Sequence, residues 1–81
     1  MNVSVKLFAI AKDLAGRDTV EVPLPDGSNV GDLRRSLGET VPELSDLVDH
    51  VLFAIGTDYA DDATIIPAGA DVVCIPPVSG G

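Results

Sequence analysis

Side chains that commonly build catalytic or metal sites are scarce in this sequence of 81 residues, which has one cysteine, Cys74, and one histidine, His50. A single cysteine cannot form an internal disulfide, and it supplies too few ligands for a zinc site or an iron–sulfur cluster. His50 has no Cys or Ser nucleophile beside it in sequence. The aspartates Asp58, Asp61 and Asp62 do not have the spacing of a twelve-residue calcium loop. We therefore expect no metal site and no catalytic pair of side chains, and we expect Cys74 to be a small buried hydrophobic residue.

Basic residues are also few, with 5 Lys and Arg against 13 Asp and Glu, for a net charge of −8. Nucleic-acid backbones and anionic membranes would repel such a surface, whereas a basic protein surface would attract it. The negative net charge can equally well serve only to keep the protein soluble. No apolar run approaches the ~20 residues of a membrane span, and polar residues interrupt the first ten positions. We therefore expect a cytoplasmic protein with no nucleic-acid or membrane partner.

The residues that are present can build one small core, since 46% are hydrophobic. A chain of this length forms one domain that buries roughly 60% of its unfolded surface. Residues 2–9 and 19–24 alternate apolar and polar side chains, which predicts two strands joined as a hairpin. Phe8 falls on the polar side of the first strand, so its phase predicts a side chain that points away from the core.

A helix is predicted after the turn at residues 25–28, with Ser28 as its N-cap and Gly38 as its end. A shorter helix is predicted over residues 42–48, and strands over residues 51–55 and 72–75. The stretches after Phe8 and from Gly56 to Ala63 look turn-like, and residues 64–66 are either a brief strand or core anchors. The fold class is α+β, with one main helix packed on one face of a mixed sheet. The first and last strands could lie side by side in the middle, although periodicity alone does not prove it.

The sequence ends in PPVSGG, and this tail is the most unusual feature. Pro76 and Pro77 favour an extended path and deny N–H groups to the sheet, while Gly80 and Gly81 could thread a narrow channel. A terminal carboxylate has a pKa of about 3.3 to 3.7 and is ionised at neutral pH, so it needs activation, for instance as an acyl-adenylate, before it can react. The alternative is a frayed terminus without function.

Four stretches of the sequence together carry a resemblance to a known family: VKLFAIAKDLAG, NVGDLRRSL, DYADDATIIPAGADVVC and IPPVSGG. The chain resembles the small subunit of molybdopterin synthase, the MoaD-type sulfur carriers, over essentially all of its length. The resemblance implies a ubiquitin-like β-grasp domain over residues 1–75 and an extended tail over residues 76–81, including Val78 and Ser79. The sequence departs from the family pattern at Gly56, at residues 68–70 and at Ile75. These departures change turns and the size of the expected interface.

The resemblance also implies a function. An ATP-dependent, E1-like adenylyltransferase would adenylate Gly81, which becomes a thiocarboxylate and donates sulfur to precursor Z inside a MoaE-type large subunit. The chain would be a non-catalytic subunit that binds no cofactor, because ATP is used by the activating partner. The predicted docking residues are Phe8, Tyr59, Val73 and Ile75. Three alternatives remain open at this point: a protein modifier joined through Gly81 to lysines, a sulfur carrier for thiamine or cysteine synthesis, and a plain binding domain with an idle tail.

Overall fold

A computed structural model of the protein describes residues 1–77, which form one five-stranded sheet, two α-helices and two short 3-10 turns. The 3-10 turns lie at Pro42–Leu44 and Val48–His50. In chain order the other elements are β1 (Asn2–Leu7), α1 (Ala9–Ala15), β2 (Thr19–Pro23), α2 (Val30–Thr40), β3 (Leu52–Ile55), β4 (Asp58–Ala60) and β5 (Asp71–Ile75).

The sheet has the strand order β2-β1-β5-β3-β4. The central strands β1 and β5 are parallel, with Val5 opposite Val72, whereas β1–β2, β3–β5 and β3–β4 are antiparallel. The prediction that the first and last strands are neighbours in the middle of the sheet is therefore confirmed. Because β1 and β5 run in the same direction, the chain leaves both strands at the same edge of the sheet.

One face of the sheet is covered by α2, and the core lies between them. Alternate residues of β1 point inward, and the apolar stripe Val30, Leu33 and Leu37 of α2 is completely buried. The helical spacing of that stripe was the evidence for the helix, and the structure confirms it. The inward residues of the strands complete the core: Val3, Val5, Leu7, Val20, Val22, Phe53, Val72 and Cys74.

The start of α2 differs from the prediction by one residue. Asn29 is the N-cap, its side-chain oxygen accepts a hydrogen bond from the Asp32 backbone N–H at 2.8 Å, and the Asp32 carboxylate accepts from the Asn29 N–H at 3.1 Å. This reciprocal pair is a capping box with Asp at the third helical position. Ser28 is buried instead, and its hydroxyl donates to the Pro25 carbonyl.

The end of α2 also differs, because Gly38 lies inside the helix rather than after it. A Cβ at Gly38 would come within 3.3 Å of a methyl group of Val48, so glycine permits a close approach of the following segment. That segment, predicted as one helix over residues 42–48, forms two separate 3-10 turns. The apolar spacing was helical, but Leu44 and Val48 each insert into the core from their own turn.

Two elements were absent from the prediction, helix α1 and strand β4. In α1 only Ala11 is buried, so the helix carries no apolar stripe that periodicity could detect. The chain enters it through Ala9 at φ 50° and leaves it through Gly16 at φ 73°, the left-handed conformation that glycine favours at a helix end. Strand β4 is a short edge strand without a buried face, and Gly56 at φ 64° forms the turn before it.

Arg34 joins α2 to the chain that enters β3. Its guanidinium donates hydrogen bonds to the carbonyls of Val48 and Val51, the latter at 2.8 Å, and forms an ion pair with Asp62 at 2.9 Å. It also lies over the Phe53 ring, 5.0 Å from the ring centroid. The half-buried guanidinium of Arg34 therefore stabilises the fold through these contacts.

Candidate functional site

The point where the chain leaves the sheet lies at the end of β5. Ile75 is the last strand residue, Pro76 is buried and Pro77 is exposed. Pro76 therefore packs on the domain, although sequence reasoning assigned it to the tail. Neither proline has a backbone N–H, so β5 cannot extend through them as a hydrogen-bonded strand. The remaining tail residues predicted to function, Val78, Ser79, Gly80 and Gly81, lie outside the described residues.

The face of the sheet opposite α2 is open, and two rows of paired residues cross it. In the first row Lys6, Val73, Ala54 and Tyr59 lie opposite one another on β1, β5, β3 and β4. Residues that pair across neighbouring strands project to the same face, so these four side chains share the open face. In the second row, nearer to the tail, Ile75 lies opposite Leu52.

Phe8 extends this face beyond the end of β1. Its backbone is still extended, with φ −128° and ψ 159°, so its side chain keeps the phase of Lys6 two residues earlier. The Lys6 ammonium lies 5.4 Å from the centroid of the Phe8 ring, which is 43% exposed. The structure thus brings Phe8, Val73, Tyr59 and Ile75 to one face of the molecule, beside the exit of the tail.

Sequence reasoning missed Leu52, whose side chain is 57% exposed on this face, and Ala54, which is buried between Val73 and Tyr59 in the first row. The signal was hidden because residues 51–55 are apolar at every position, so no alternation separates the two faces of β3. Leu52 joins the four predicted residues in an apolar patch, which we define as Phe8, Leu52, Tyr59, Val73 and Ile75.

The open face changes character along the strands. A third row of paired residues, farther from the tail, is polar and acidic: Ser4 lies opposite both Glu21 and Asp71. Among the outward-facing residues of the five strands, Lys6 is the only basic one. The face therefore runs from an apolar end beside the tail, through one cation, to an acidic end.

Cys74, Asp61 and Asp62, for which the sequence predicts no chemical role, are either buried or bonded to neighbouring groups. Cys74 is buried, and burial raises the pKa of its thiol to about 11, although the nearby positive charge of Arg34 partly opposes that shift. Cys74 is thus a neutral thiol at neutral pH, with little thiolate to act as a nucleophile. Asp61 accepts hydrogen bonds from the Ala63 N–H and the Thr64 hydroxyl, and Asp62 pairs with Arg34.

Residues 1–77 contain neither a cluster of metal ligands nor a helix that could span a membrane. No group of three or more His, Cys, Asp or Glu side chains in this part of the chain is placed to hold a metal ion. None of the helices described there is long and apolar enough to cross a membrane.

Comparison with known proteins identifies the family. The model of the ThiS family matches residues 5–81. The molybdopterin synthase sulfur carrier subunit of Arabidopsis thaliana is 30% identical over 81 residues, covering all of this chain and 84% of that protein. The corresponding subunit of Chlamydomonas reinhardtii is 30% identical over 83 residues and is covered completely, as is this chain.

Solved structures show the same fold. SAMP1, the small archaeal modifier protein 1 of Haloferax volcanii, superposes with a TM-score of 0.86 at 30% identity over the whole of both chains. Subunit 1 of a molybdopterin converting factor from Pyrococcus furiosus gives a TM-score of 0.84 at 30% identity, over 96% of this chain and 99% of that one.

A more distant structure is a complex of subunits 1 and 2 of the molybdopterin-converting factor from Helicobacter pylori. It gives a TM-score of 0.68 at 20% identity over the whole of both chains, which supports the fold alone. The expected architecture is therefore confirmed as a ubiquitin-like β-grasp. The chain belongs to the ThiS family of ubiquitin-like sulfur carriers, together with the sulfur carrier subunits of molybdopterin synthase.

Proposed function

We propose that this chain is the sulfur-carrying subunit of a molybdopterin synthase and that sulfur travels on the carboxylate of Gly81. The observation that carries the proposal is the placement of the exit: central strand β5 ends beside the exposed apolar patch, and Pro76 and Pro77 end its pairing there. A partner that covers the patch would receive the tail directly. The names of the relatives, which are sulfur carrier subunits, support the same function.

The chemistry follows from the state of the terminal carboxylate. It is ionised at neutral pH and is a poor electrophile. An adenylyltransferase of the E1-like class would join it to the α-phosphate of ATP, with pyrophosphate as the leaving group. Hydrosulfide would then displace AMP from the acyl-adenylate to give the thiocarboxylate directly. The thiocarboxylate donates its sulfur to precursor Z, and water supplies the oxygen that restores the carboxylate of Gly81. The chain itself supplies only the terminal group and the surface that positions it, so it is not an enzyme on its own.

We propose that the apolar patch docks on a MoaE-type large subunit. An exposed cluster of large apolar side chains is unusual on a small domain and is typical of an interaction surface. Tyr59 is 72% exposed and Leu52 57%, so a partner could bury most of both side chains. The relatives are named as subunits of molybdopterin synthase, which supports assembly with a second subunit.

The decisive experiment measures the intact mass of the chain after incubation with the adenylyltransferase, ATP and a sulfur donor. The mass should rise by the difference between a sulfur and an oxygen atom. A variant with one residue added after Gly81 moves the carboxylate by about 3.5 Å, out of near-attack range, and should gain no sulfur. Sulfur loading of the extended chain without trimming would contradict the proposal.

Residues 1–75 are proposed to fold without the tail, so deletion of residues 79–81 should leave the melting temperature nearly unchanged.

A second function, conjugation to lysines of other proteins through Gly81, is favoured by the similarity to SAMP1, a small archaeal modifier protein. The two functions use the same activated terminus and differ in the acceptor. Expression of a tagged chain in its native host separates them. A ladder of larger tagged species that disappears on deletion of Gly81 would establish conjugation, whereas a carrier alone gives no ladder.

A further inference from the structure

Lys6 occupies a distinctive position on the open face. It pairs with Val73 in the row that ends at Tyr59, and its ammonium lies 5.4 Å from the Phe8 ring centroid. It therefore lies at the border of the apolar patch, with Val73 on one side and Thr19 of β2 on the other. In a chain with a net charge of −8, it is also the only basic residue among the outward-facing strand residues.

The ammonium of Lys6 is exposed and forms none of the ion pairs found within residues 1–77, which join Met1 to Asp26, Arg34 to Asp62, and Arg35 to Asp32. Its only close partner described there is the face of the Phe8 ring. A cation–π contact of this kind is weak while water still surrounds the ammonium. The charge of Lys6 is therefore solvated by water in the free chain and remains available to a partner.

Docking would change the surroundings of this charge. A partner that covers Phe8 and Val73 also removes water from the ammonium beside them, and an ammonium that loses its water without gaining an anion is strongly unfavourable. The surface that accepts this face must therefore supply negative charge at the position of Lys6. The acidic row beyond it, with Glu21 and Asp71, requires neutral or basic groups in the same partner.

We infer that the docking partner presents an aspartate or glutamate carboxylate to Lys6, within an apolar surface, and that this pair helps to select the partner. The inference rests on the proposed docking of the apolar patch and specifies the chemistry of the surface that binds there. An apolar patch alone would accept many apolar surfaces, whereas a cation at its border disfavours a surface that has no carboxylate at that point. Lys6 is thus a specificity residue of the interface.

The test measures binding of the full chain to the molybdopterin synthase large subunit encoded in the same genome, by calorimetry at two salt concentrations. Lys6→Met keeps an apolar stem under Phe8 and removes the charge, and Lys6→Glu reverses it. Arg35→Met and Arg35→Glu are the matched controls, because Arg35 is exposed on α2, the helix that covers the opposite face. Phe8→Ala tests the docking of the patch independently.

The expected result is a loss of affinity of about tenfold or more for both Lys6 variants, because the partner's carboxylate loses its counter-charge, and a change of less than about twofold for both Arg35 variants. A carboxylate→Lys change in the partner should restore binding of Lys6→Glu and of no other variant.

Lys6→Met that binds as well as the unaltered chain, while Phe8→Ala fails to bind, would overturn the inference and leave the docking proposal intact. If Phe8→Ala also binds normally, the docking proposal itself is wrong. Melting temperatures of all variants confirm that each is folded.

Discussion

The two faces of the sheet are made by alternate residues of the same strands, yet only one of them is covered by α2. On β3, Phe53 points inward and is completely buried beneath Arg34, whereas Leu52 points outward and is 57% exposed. On β5, Cys74 is buried and its neighbours Val73 and Ile75 lie on the open face. Both faces are apolar near the tail, so hydrophobicity alone does not tell them apart.

Burial against α2, rather than residue type, therefore distinguishes the residues that stabilise the fold from those left accessible to a partner. An inward apolar residue contributes to the free energy of unfolding because it already lies out of water. An outward apolar residue contributes little until a partner covers it. Inward substitutions should therefore lower the free energy of unfolding, and outward substitutions should weaken binding to a partner. Matched pairs of variants test this difference.

The largest effect is expected from an inward aromatic residue. Phe53→Ala should reduce the free energy of unfolding by about 3 to 5 kcal/mol, because it leaves a cavity in a fully packed core. Tyr59→Ala, on the neighbouring strand but 72% exposed, should change it by about 0.5 kcal/mol or less. Urea unfolding of the two variants measures the difference. Similar losses for both would show that the open face is part of the stabilising core.

The next effect concerns binding rather than folding. Phe8→Ala should weaken the complex with the large subunit by more than about 2 kcal/mol, as truncation of a central interface aromatic does. Its cost to folding should stay near about 1 kcal/mol, since the ring is only half-buried. Calorimetric titration and thermal unfolding of the same sample give both values. A variant that loses stability yet binds normally in its folded fraction would place Phe8 in the core.

An intermediate effect on stability is expected at Arg34. Arg34→Met removes the hydrogen bonds to the Val48 and Val51 carbonyls and should cost about 1 to 3 kcal/mol of unfolding free energy. Arg35→Met, one residue later, removes only an exposed pair with Asp32 and should cost about 0.5 kcal/mol or less. Equal losses of unfolding free energy for the two variants in denaturant titrations would mean that the Val48 and Val51 carbonyls find other hydrogen-bond donors.

The smallest effect is a pH dependence from Cys74 on the inward face. Its pKa is raised to about 11 from 9.0, so the folded state holds the thiol proton more tightly than the unfolded state. The stability that this gives is fully present below pH 9 and is lost as the pH rises through about 11. Stability should therefore fall over that interval in the unaltered chain, and the fall should be smaller in Cys74→Ala. An identical pH slope in both proteins would show that burial does not perturb the thiol.

Much of the architecture could be predicted from the sequence because its signals are local. The alternation in β1 and β2 and the stripe Val30, Leu33 and Leu37 identify elements that bury one face, and such elements show periodicity. Helix α1 and strand β4 could not be predicted in this way, since α1 buries only Ala11 and β4 buries no side chain completely. The phase of Phe8 placed one member of the apolar patch correctly on the open face.

Alternation and helical spacing in the sequence sufficed to predict the α+β class, a main helix whose observed ends differ by a few residues, and a buried Cys74. The tertiary structure decided which residues meet on the open face. Lys6 on β1 is distant in sequence from Leu52 and Tyr59 on β3 and β4, and it shares a face with them only because β5 lies between β1 and β3. The physical reason is that strand periodicity specifies which side a residue takes, whereas pairing between strands specifies its neighbours.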